Sequence, residues 1–548
     1  MNKKIFLALF PLVAIAATAQ TEPNVPASLY ANLPFAMERI AAPVFPNNTV
    51  SIIDFGAKGD GKTDNTQAFA KAIEAIVAKG GGTIEIPKGT WITGPIVLKS
   101  NVHLHTAKGT LVQFSADRRL YPVIKANFEG LETYRCQQPI SANKAQNIAI
   151  TGEGVFDGAG QAWRPVKKGK VTAIAWAELI ASGGVLDDKK STWWPSEAAY
   201  KGSRMSTDQN VPEVKTEDDW KAIKDYLRPI MVDLVSCKNV WLQGITVQNS
   251  PSWTIHPLMC ENVIIANVNV QNPEWGQNTD GIDIESCKNV VLTGSVFSVG
   301  DDGICVKSGK NESGRKRGIP TENLIVDGCI VYHAHGGFVV GSEMSGGVRN
   351  VKVTNCVFKG TDAGLRFKST RGRGGVVENI TIENIAMTNI VGDAVLFDLF
   401  YGGGKDKTEK VKADVTTPVF RNITMKNIAC KGAKRALYFN GLPEMNLENI
   451  SLENGSFVAD EGGRISEANG VTLTNVVINT PSTPNLTINN SQNITLVNIN
   501  FKGTDKPVIN ISGMTSQYIS IQKSPGLTYK NINWTDHASK DSVEVRAW

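Results

Sequence analysis

An Asn followed by alternating apolar residues recurs through most of the chain, and this repeat limits the fold more than any other feature. It reads QNIAITGEGVF, KNVWLQGITV, ENVIIANVNV, KNVVLTGSVF, ENLIVDGCIV, RNVKVTNCVF, ENITIENIAM, RNITMKNIAC, ENISLENGSF and QNITLVNINF. The positions of this Asn include 239, 262, 289, 323, 350, 379, 422, 449, 475 and 493. Asn239 and Asn262 are 23 residues apart, Asn262 and Asn289 are 27 apart, and wider steps such as Asn379 to Asn422 carry insertions. Alternation over short runs means half-buried strands. A period in the twenties with several strands per repeat means a solenoid. No strong helical pattern interrupts the units, so the expected fold is all-β: a right-handed parallel β-helix, with coils stacked at about 4.8 Å. The repeated Asn is expected to be a stacked turn residue whose amide pairs with its neighbours.

A solenoid needs covered ends. Residues 64–79, DNTQAFAKAIEAIVAK, place Phe69, Ala72, Ile73 and Ile76 on one helical face. Asp64 or Asn65 can serve as N-cap, and Gly80-Gly81-Gly82 stops the element. This helix is expected to close the N-terminal end of the stack. The catalytic domain is then 49–548, preceded by an extended, Pro-bearing leader at 20–48. The stretch 158–228 breaks the repeat and holds Trp163, Trp176, Trp193, Trp194, Trp220 and Tyr200. Two readings are open for it: a surface excursion with a small core of its own, or a wall beside a cleft with aromatic faces for sugars.

MNKKIFLALFPLVAIAATAQ has Lys3 and Lys4, an apolar run too short for a membrane span, and Ala17-Thr18-Ala19 before Gln20. It reads as a signal peptide, residues 1–19, and the expected location is the periplasm of a Gram-negative bacterium or the medium. A net charge of +5, without a long Lys/Arg run, gives no support for nucleic-acid binding. Eight Cys in an exported chain leave disulfides and stacked free thiols equally open.

Within NTDGIDIESCKNVVLTGSVFSVGDDGICVKSG, Asp280 and Asp301 are 21 residues apart, about one coil. On a coil face, positions one turn apart lie about 5 Å from each other. Asp280, Asp301 and Asp302 should therefore converge, with His335 and then Arg366 and Lys368 on succeeding coils. Carboxylates this close cannot all ionise cheaply, so a proton donor is left beside a base. Glycosidic cleavage needs such a pair. Arg366 and Lys368 add fixed positive charge suited to a substrate carboxylate. His256 is a further candidate for the pocket lining. His103 and His105 are read as structural, and Arg371 and Arg373 as a solvated loop.

NTDG (278–281), GDD (300–302), HG (335–336) and RFK (366–368) together resemble the four signature motifs of the polygalacturonases, glycoside hydrolase family twenty-eight. DFGAKGDG, GGGTIEIPKGTW, GSEMSGGVRNV and RGRGGVVENI resemble its flanks. The resemblance runs from about residue 50 to the 440s and implies an inverting hydrolase of α-1,4-galacturonan. By it, Asp301 would be the general acid, and Asp280 and Asp302 would hold and activate water. His335 would support the acid or bind hydroxyls, Arg366 and Lys368 would bind the galacturonate carboxylate, and Asn278 would position Asp280 or touch substrate. Ala334 and Phe367 depart from the family's Gly and Ile, and Phe367 should point inward by strand alternation.

The implied partner is an acidic plant polysaccharide or oligogalacturonide, acted on by a monomer, with exo-action preferred because 158–228 could close one end of the groove. Alternatives are a rhamnogalacturonan or other decorated-pectin hydrolase, a Ca²⁺-dependent pectate lyase, or a non-catalytic glycan-binding β-helix. No metal or other cofactor is called for.

Overall fold

A computed structural model describes residues 23–546, apart from 24, 209 and 403–408. The expected signal peptide lies outside these residues. Two parallel sheets dominate. One stacks fourteen short strands from Ile96–Val97 through Ile140–Asn143, Val232–Val235, Ile255–Leu258, Ile282–Glu285, Asp302–Lys307, Gly336–Val340 and Ala363–Lys368 to Ile532–Thr535. The other, of twenty-six strands, forms the remaining faces. Each coil thus contributes one strand to the first sheet and then bends through the second, the arrangement of a right-handed parallel β-helix.

Strand alternation sorts the residues. Along the first sheet, Ile282, Ile304, Phe338, Leu365, Val395 and Leu437 are in register and fully buried. The next inward column holds Ile284, Val306, Val340, Phe367, Phe397 and Phe439. Phe367 points inward and stacks on Phe397 with centroids 4.3 Å apart. Full burial of each such side chain stabilises the fold by about 1.5–3 kcal/mol. The intervening residues face outward, and they include the charged groups described below.

The Asn repeat forms hydrogen-bonded ladders. Asn147, Asn239, Asn262, Asn289, Asn323 and Asn350 have φ between 52° and 58°. In each, the side-chain Nδ2 donates to Oδ1 of the previous Asn at 2.9–3.2 Å. Asn tolerates this left-handed conformation better than other side chains bearing a Cβ. One member of the sequence repeat belongs elsewhere. Asn475 bonds Asn454 and Asn498 in a second ladder one corner further on. In the first ladder its place is taken by Gly470, also at positive φ.

The helix Thr66–Ala78 buries Ala68, Phe69, Ala72, Ile73 and Ile76 against the first coils. Asp64 accepts from Thr66 N at 2.9 Å, while Asn65 makes no side-chain cap bond. All eight Cys are buried and free. Cys237, Cys260 and Cys287 stack on successive coils, and Cys260 N donates to Cys287 Sγ at 3.3 Å. His103 sits between Phe45 and Trp241, a packing role. Arg371 and Arg373 are not a solvated loop. Arg371 pairs with Glu444, and buried Arg373 donates to the Ser342 carbonyl at 3.0 Å.

The segment 158–228 folds into short helices and small sheets. Trp163 and Trp220 pack with Tyr121 and Tyr226 in one small core, and Trp176 and Trp193 pack with Val166 in another. These indoles hold the excursion together, and none of them lines the cavity described next. The excursion nonetheless borders the site through Asn210.

Candidate active site

On the outer face of the fourteen-stranded sheet, neighbouring coils bring Asp280, Asp301, Asp302, His335, Arg366 and Lys368 into one cavity of about 250 Å³. Asn278 lines it as well. The convergence follows from register. Asp302 pairs with Gly336 on the next coil, Cys305 with Val339, and Val339 with Arg366. Glycine at 336 leaves room for the arginine stem, since a Cβ there would come within 3.2 Å of Arg366 Cδ.

Asp302 receives both cations. Arg366 Nη1 is 3.0 Å from its Oδ1, and Lys368 Nζ is 2.7 Å from its Oδ2. Burial opposes ionisation of Asp302, but the two cations override it and hold its carboxyl far below the usual range. Lys368 is raised in return: burial lowers its pKa, and Asp302 more than restores it. Asp301 Oδ1 lies 3.0 Å from His335 Nδ1 and also accepts from Asp302 N. Burial pushes Asp301 up, yet the histidine bond prevails and leaves it below its ordinary value, with His335 raised.

Asp280 is treated differently. Burial, then Asp283 and Asp301, raise it well above the usual carboxylate range. Lys307 opposes this from 3.7 Å, but it sits closer to Asp283, at 2.9 Å. Asp280 Oδ1 is buried without a hydrogen-bond partner. Oxygens of Asp280 and Asp302 lie within 4.8 Å of each other. That spacing suits one water bonded to both carboxylates. Cys305 Sγ completes this close group.

His256 does not line the cavity. It is fully buried, with Nδ1 3.0 Å from Asp233 and Nε2 3.0 Å from Glu285. Burial alone would lower its pKa, but the two carboxylates push it up to about 9.

Several residues in or behind the cavity wall escaped the sequence reading. Lys307 and Asp283 were legible by alternation, since GIDIE and DGICVK put them on the outward pleat. Gly341 occupies the row between Lys307 and Lys368, where a Cβ would come within 3.1 Å of Lys307 Cγ. Glu343 lies among Lys307, Lys368, Arg373 and Lys310, which hold it ionised despite burial. Buried Arg228 donates to Asn278 Oδ1 at 2.8 Å and to the Gln277 carbonyl at 2.9 Å, fixing the loop that carries Asp280. Glu129, at the tip of the hairpin Val123–Phe128/Leu131–Cys136, accepts from Asn210 Nδ2 at 2.6 Å. These two residues come from the hairpin and the excursion, and no coil period announces them. Tyr401 closes the far side, its ring 4.9 Å from Lys368 Nζ.

Comparison with known proteins agrees with this geometry. The profile of Glycosyl hydrolases family 28 matches residues 170–459, and that of Rhamnogalacturonase A/epimerase, pectate lyase-like, matches 49–155. A probable polygalacturonase of Vitis vinifera is 27% identical over 411 residues, 74% of either chain. An exo-poly-alpha-D-galacturonosidase of Dickeya chrysanthemi is 28% identical over 450 residues, 78% of this chain and 71% of the relative. The crystal structure of a hyperthermoactive exopolygalacturonase from Thermotoga maritima superposes with a TM-score of 0.63 at 31% identity, covering 85% of this chain and 94% of that one. With the coils that carry the candidate site inside the matched region, the chain belongs to glycosyl hydrolases family 28 and is a glycoside hydrolase of its polygalacturonase group.

Proposed function

We propose that this enzyme removes galacturonate units from the end of α-1,4-galacturonan by an inverting mechanism. The observation that carries the reading is one cavity holding two kinds of carboxylate: an Asp280/Asp302 pair spaced for a water, and Asp301 bonded to a histidine. Asp301 gives its proton to the glycosidic oxygen as the bond to the anomeric carbon breaks. A water held by Asp280 and Asp302 attacks that carbon from the opposite face, and its proton passes to this pair.

The resting charges change when substrate arrives. A galacturonate carboxylate draws Arg366 and Lys368 away from Asp302, whose proton affinity then rises toward that of a useful base. The same negative charge favours movement of the His335 Nδ1 proton along the 3.0 Å bond to Asp301, charging the acid. A neutral sugar would supply neither effect. Asn278, pinned by Arg228, orients the Asp280 loop.

Support for exo-action comes from the walls. The Glu129–Asn210 contact bounds a cavity of only about 250 Å³, below the roughly 300–1,000 Å³ usual for larger ligands. The similarity to exo-acting relatives points the same way. Export by the N-terminal leader would bring the enzyme to its polymer, and a single chain carries every residue of the mechanism.

The test is incubation of the mature protein with polygalacturonic acid and EDTA, with Asp301→Asn as control. Saturated galacturonic acid or its dimer should appear from the start, and the variant should release it about a hundredfold or more slowly. A ladder of intermediate oligomers would overturn exo-action, and unsaturated products would overturn hydrolysis.

A further inference from the structure

A second cavity, of about 1,130 Å³, opens on the same sheet towards the N-terminal coils, and it shares no lining residue with the catalytic one. Its floor includes Val97, Ser141 and Asp233, a register column that continues to His256. The hairpin separates the two spaces. The turn at Gly130 abuts Gly309 and Lys310, Lys310 N donates to the Gly130 carbonyl at 3.3 Å, and Lys310 Nζ pairs with Asp208 of the excursion. The walls are the hairpin, the segment around 214–220 and the helix Asn311–Arg317.

The chemistry of these walls is specific. Each of the three contributes a lysine, Lys125, Lys215 and Lys316; the lining also holds Glu132, opposite Asn127 on the hairpin, and Asp233, which is bonded to His256. Lys316 is held by Glu312, whereas among the described residues Lys125 and Lys215 form no ion pair. Between them stand amides, notably Asn127, Gln137 and Gln138, and the ring of Tyr134, tilted against Trp220 with centroids 4.9 Å apart. Asn127 Oδ1 and Thr133 Oγ1, both on lining residues, are buried without a hydrogen-bond partner. Buried polar atoms left unpaired are costly. A flip of the Asn127 amide or a turn of the Thr133 hydroxyl would deliver this bonding capacity to a ligand. Amides for hydroxyl groups, an aromatic edge for a sugar ring and lysines on opposing walls for carboxylates describe one ligand class.

We infer that this cavity is a second, non-catalytic binding site for an acidic oligosaccharide. It is walled from the catalytic cavity and serves to hold a polymer segment other than the one being cleaved. The choice of a uronate saccharide rests on the galacturonan reading above, while the existence of a separate saccharide site rests on the cavity itself.

Titration calorimetry on Asp301→Asn, in which turnover is slowed about a hundredfold or more, tests this with a galacturonate trimer as probe. Two binding events per chain are expected. The pair Lys125→Glu and Asn127→Asp, which changes one exposed and one half-buried side chain with little change of shape, should weaken one event by about tenfold or more, equivalent to about 1.4 kcal/mol. Arg366→Gln should weaken the other. A single event, or two events that the Lys125/Asn127 pair leaves unchanged, overturns the inference. If the wild-type enzyme fails to cleave galacturonan, the functional reading falls separately. The same titration with a guluronate or glucuronate trimer then decides the cavity: an event lost with the pair upholds the site, and no event refutes it.

Discussion

Asp302 and Asp280 share a cavity and a buried sheet face one coil apart, yet the fold drives their charges in opposite directions. Asp302 has a cation on each oxygen, at 3.0 and 2.7 Å, and is held ionised. Asp280 has to share Lys307 with Asp283, which holds the nearer position, and burial raises its pKa well above the usual carboxylate range. The difference shows that burial alone does not decide protonation. The count of cations that register brings within reach of each oxygen decides it, and a strand in which every second residue faces outward sets that count.

The most severe disruption removes the acid beside this contrast. Asp301→Asn should lower kcat by about 10²–10⁴-fold, the usual weight of general acid catalysis, with little change in melting temperature. Steady-state release of reducing sugar measures it. A variant that keeps a tenth of the wild-type rate would move the acid to Asp280, the carboxyl whose pKa burial and its acidic neighbours raise.

Lys307→Met breaks the poorer side of the comparison. It leaves Asp280 and Asp283 buried without their cation, and loss of one partner of a buried pair costs about 3–5 kcal/mol. Burial raises Asp283 to about 6 even with Lys307 present and raises Asp280 as well, so moderate acid relieves the pair of uncompensated charge. A carboxyl with a raised folded pKa contributes stability that is full below its unfolded value and lost as pH rises through the folded one. The deficit of Lys307→Met should therefore be large at pH 7 and much smaller at pH 4, as read from thermal melts. Adding Asp283→Asn should recover part of the pH 7 loss. Equal deficits at both pH values would mean that Lys307 acts by packing on Trp253, over whose ring it lies at 3.5 Å.

The buried His256 sharpens the same lesson, because there the cation count is reversed. One imidazolium serves two carboxylates, Asp233 and Glu285, and the latter is also bound by Arg317. A histidine raised from 6.5 to about 9 contributes stability that is complete below about 6.5 and declines as pH climbs through 9. Glu285, lowered to about 2 although burial opposes it, contributes above its ordinary value and loses that contribution as pH falls through about 2. Denaturation midpoints of the wild type should therefore fall between pH 6.5 and 9, and His256→Gln should flatten that fall while lowering stability at pH 6. An unchanged slope would mean that His256 is neutral in the fold.

Which of these groups could be found in the sequence depends on whether the coil or an insertion supplies them. Asp280, Asp301, Asp302, His335, Arg366 and Lys368 lie on successive turns, so a period and a pleat suffice to bring them together. Lys307 and Asp283 obey the same rule, and their neighbours in the motifs masked them. Glu129, Asn210 and Arg228 do not obey it. Their places depend on how the hairpin and the 158–228 excursion dock on the coils, through contacts such as Phe128 on Trp253 at 4.8 Å. Periodicity carries no information about docking. His256 fails for a related reason: alternation puts it on the outer face but does not reveal that Asp233, Glu285 and the covering segments bury it.

The smallest effect separates the conformation of the repeated Asn from its side-chain ladder. Asn323 has φ of 58°, donates to Asn289 at 3.0 Å and accepts from Asn350 at 3.2 Å. Asn323→Gly keeps the left-handed backbone accessible and loses only the two amide bonds, each worth about 0.5–1.5 kcal/mol net. Asn323→Ala loses the same bonds and adds the steric cost of a Cβ at positive φ, about 1–2 kcal/mol. The alanine variant should thus have the lower urea midpoint, and the gap between the two measures the conformational part alone. Gly470 already stands in this ladder at positive φ, and there Asn493 of the next coil donates to the neighbouring Asn469 Oδ1 at 2.8 Å, so the left-handed turn is kept even where the amide partner shifts by one residue. If alanine and glycine proved equally destabilising, the ladder bonds rather than the left-handed turn would explain why Asn recurs. The coil period would then be enforced by side chains between coils and not by the backbone within each one.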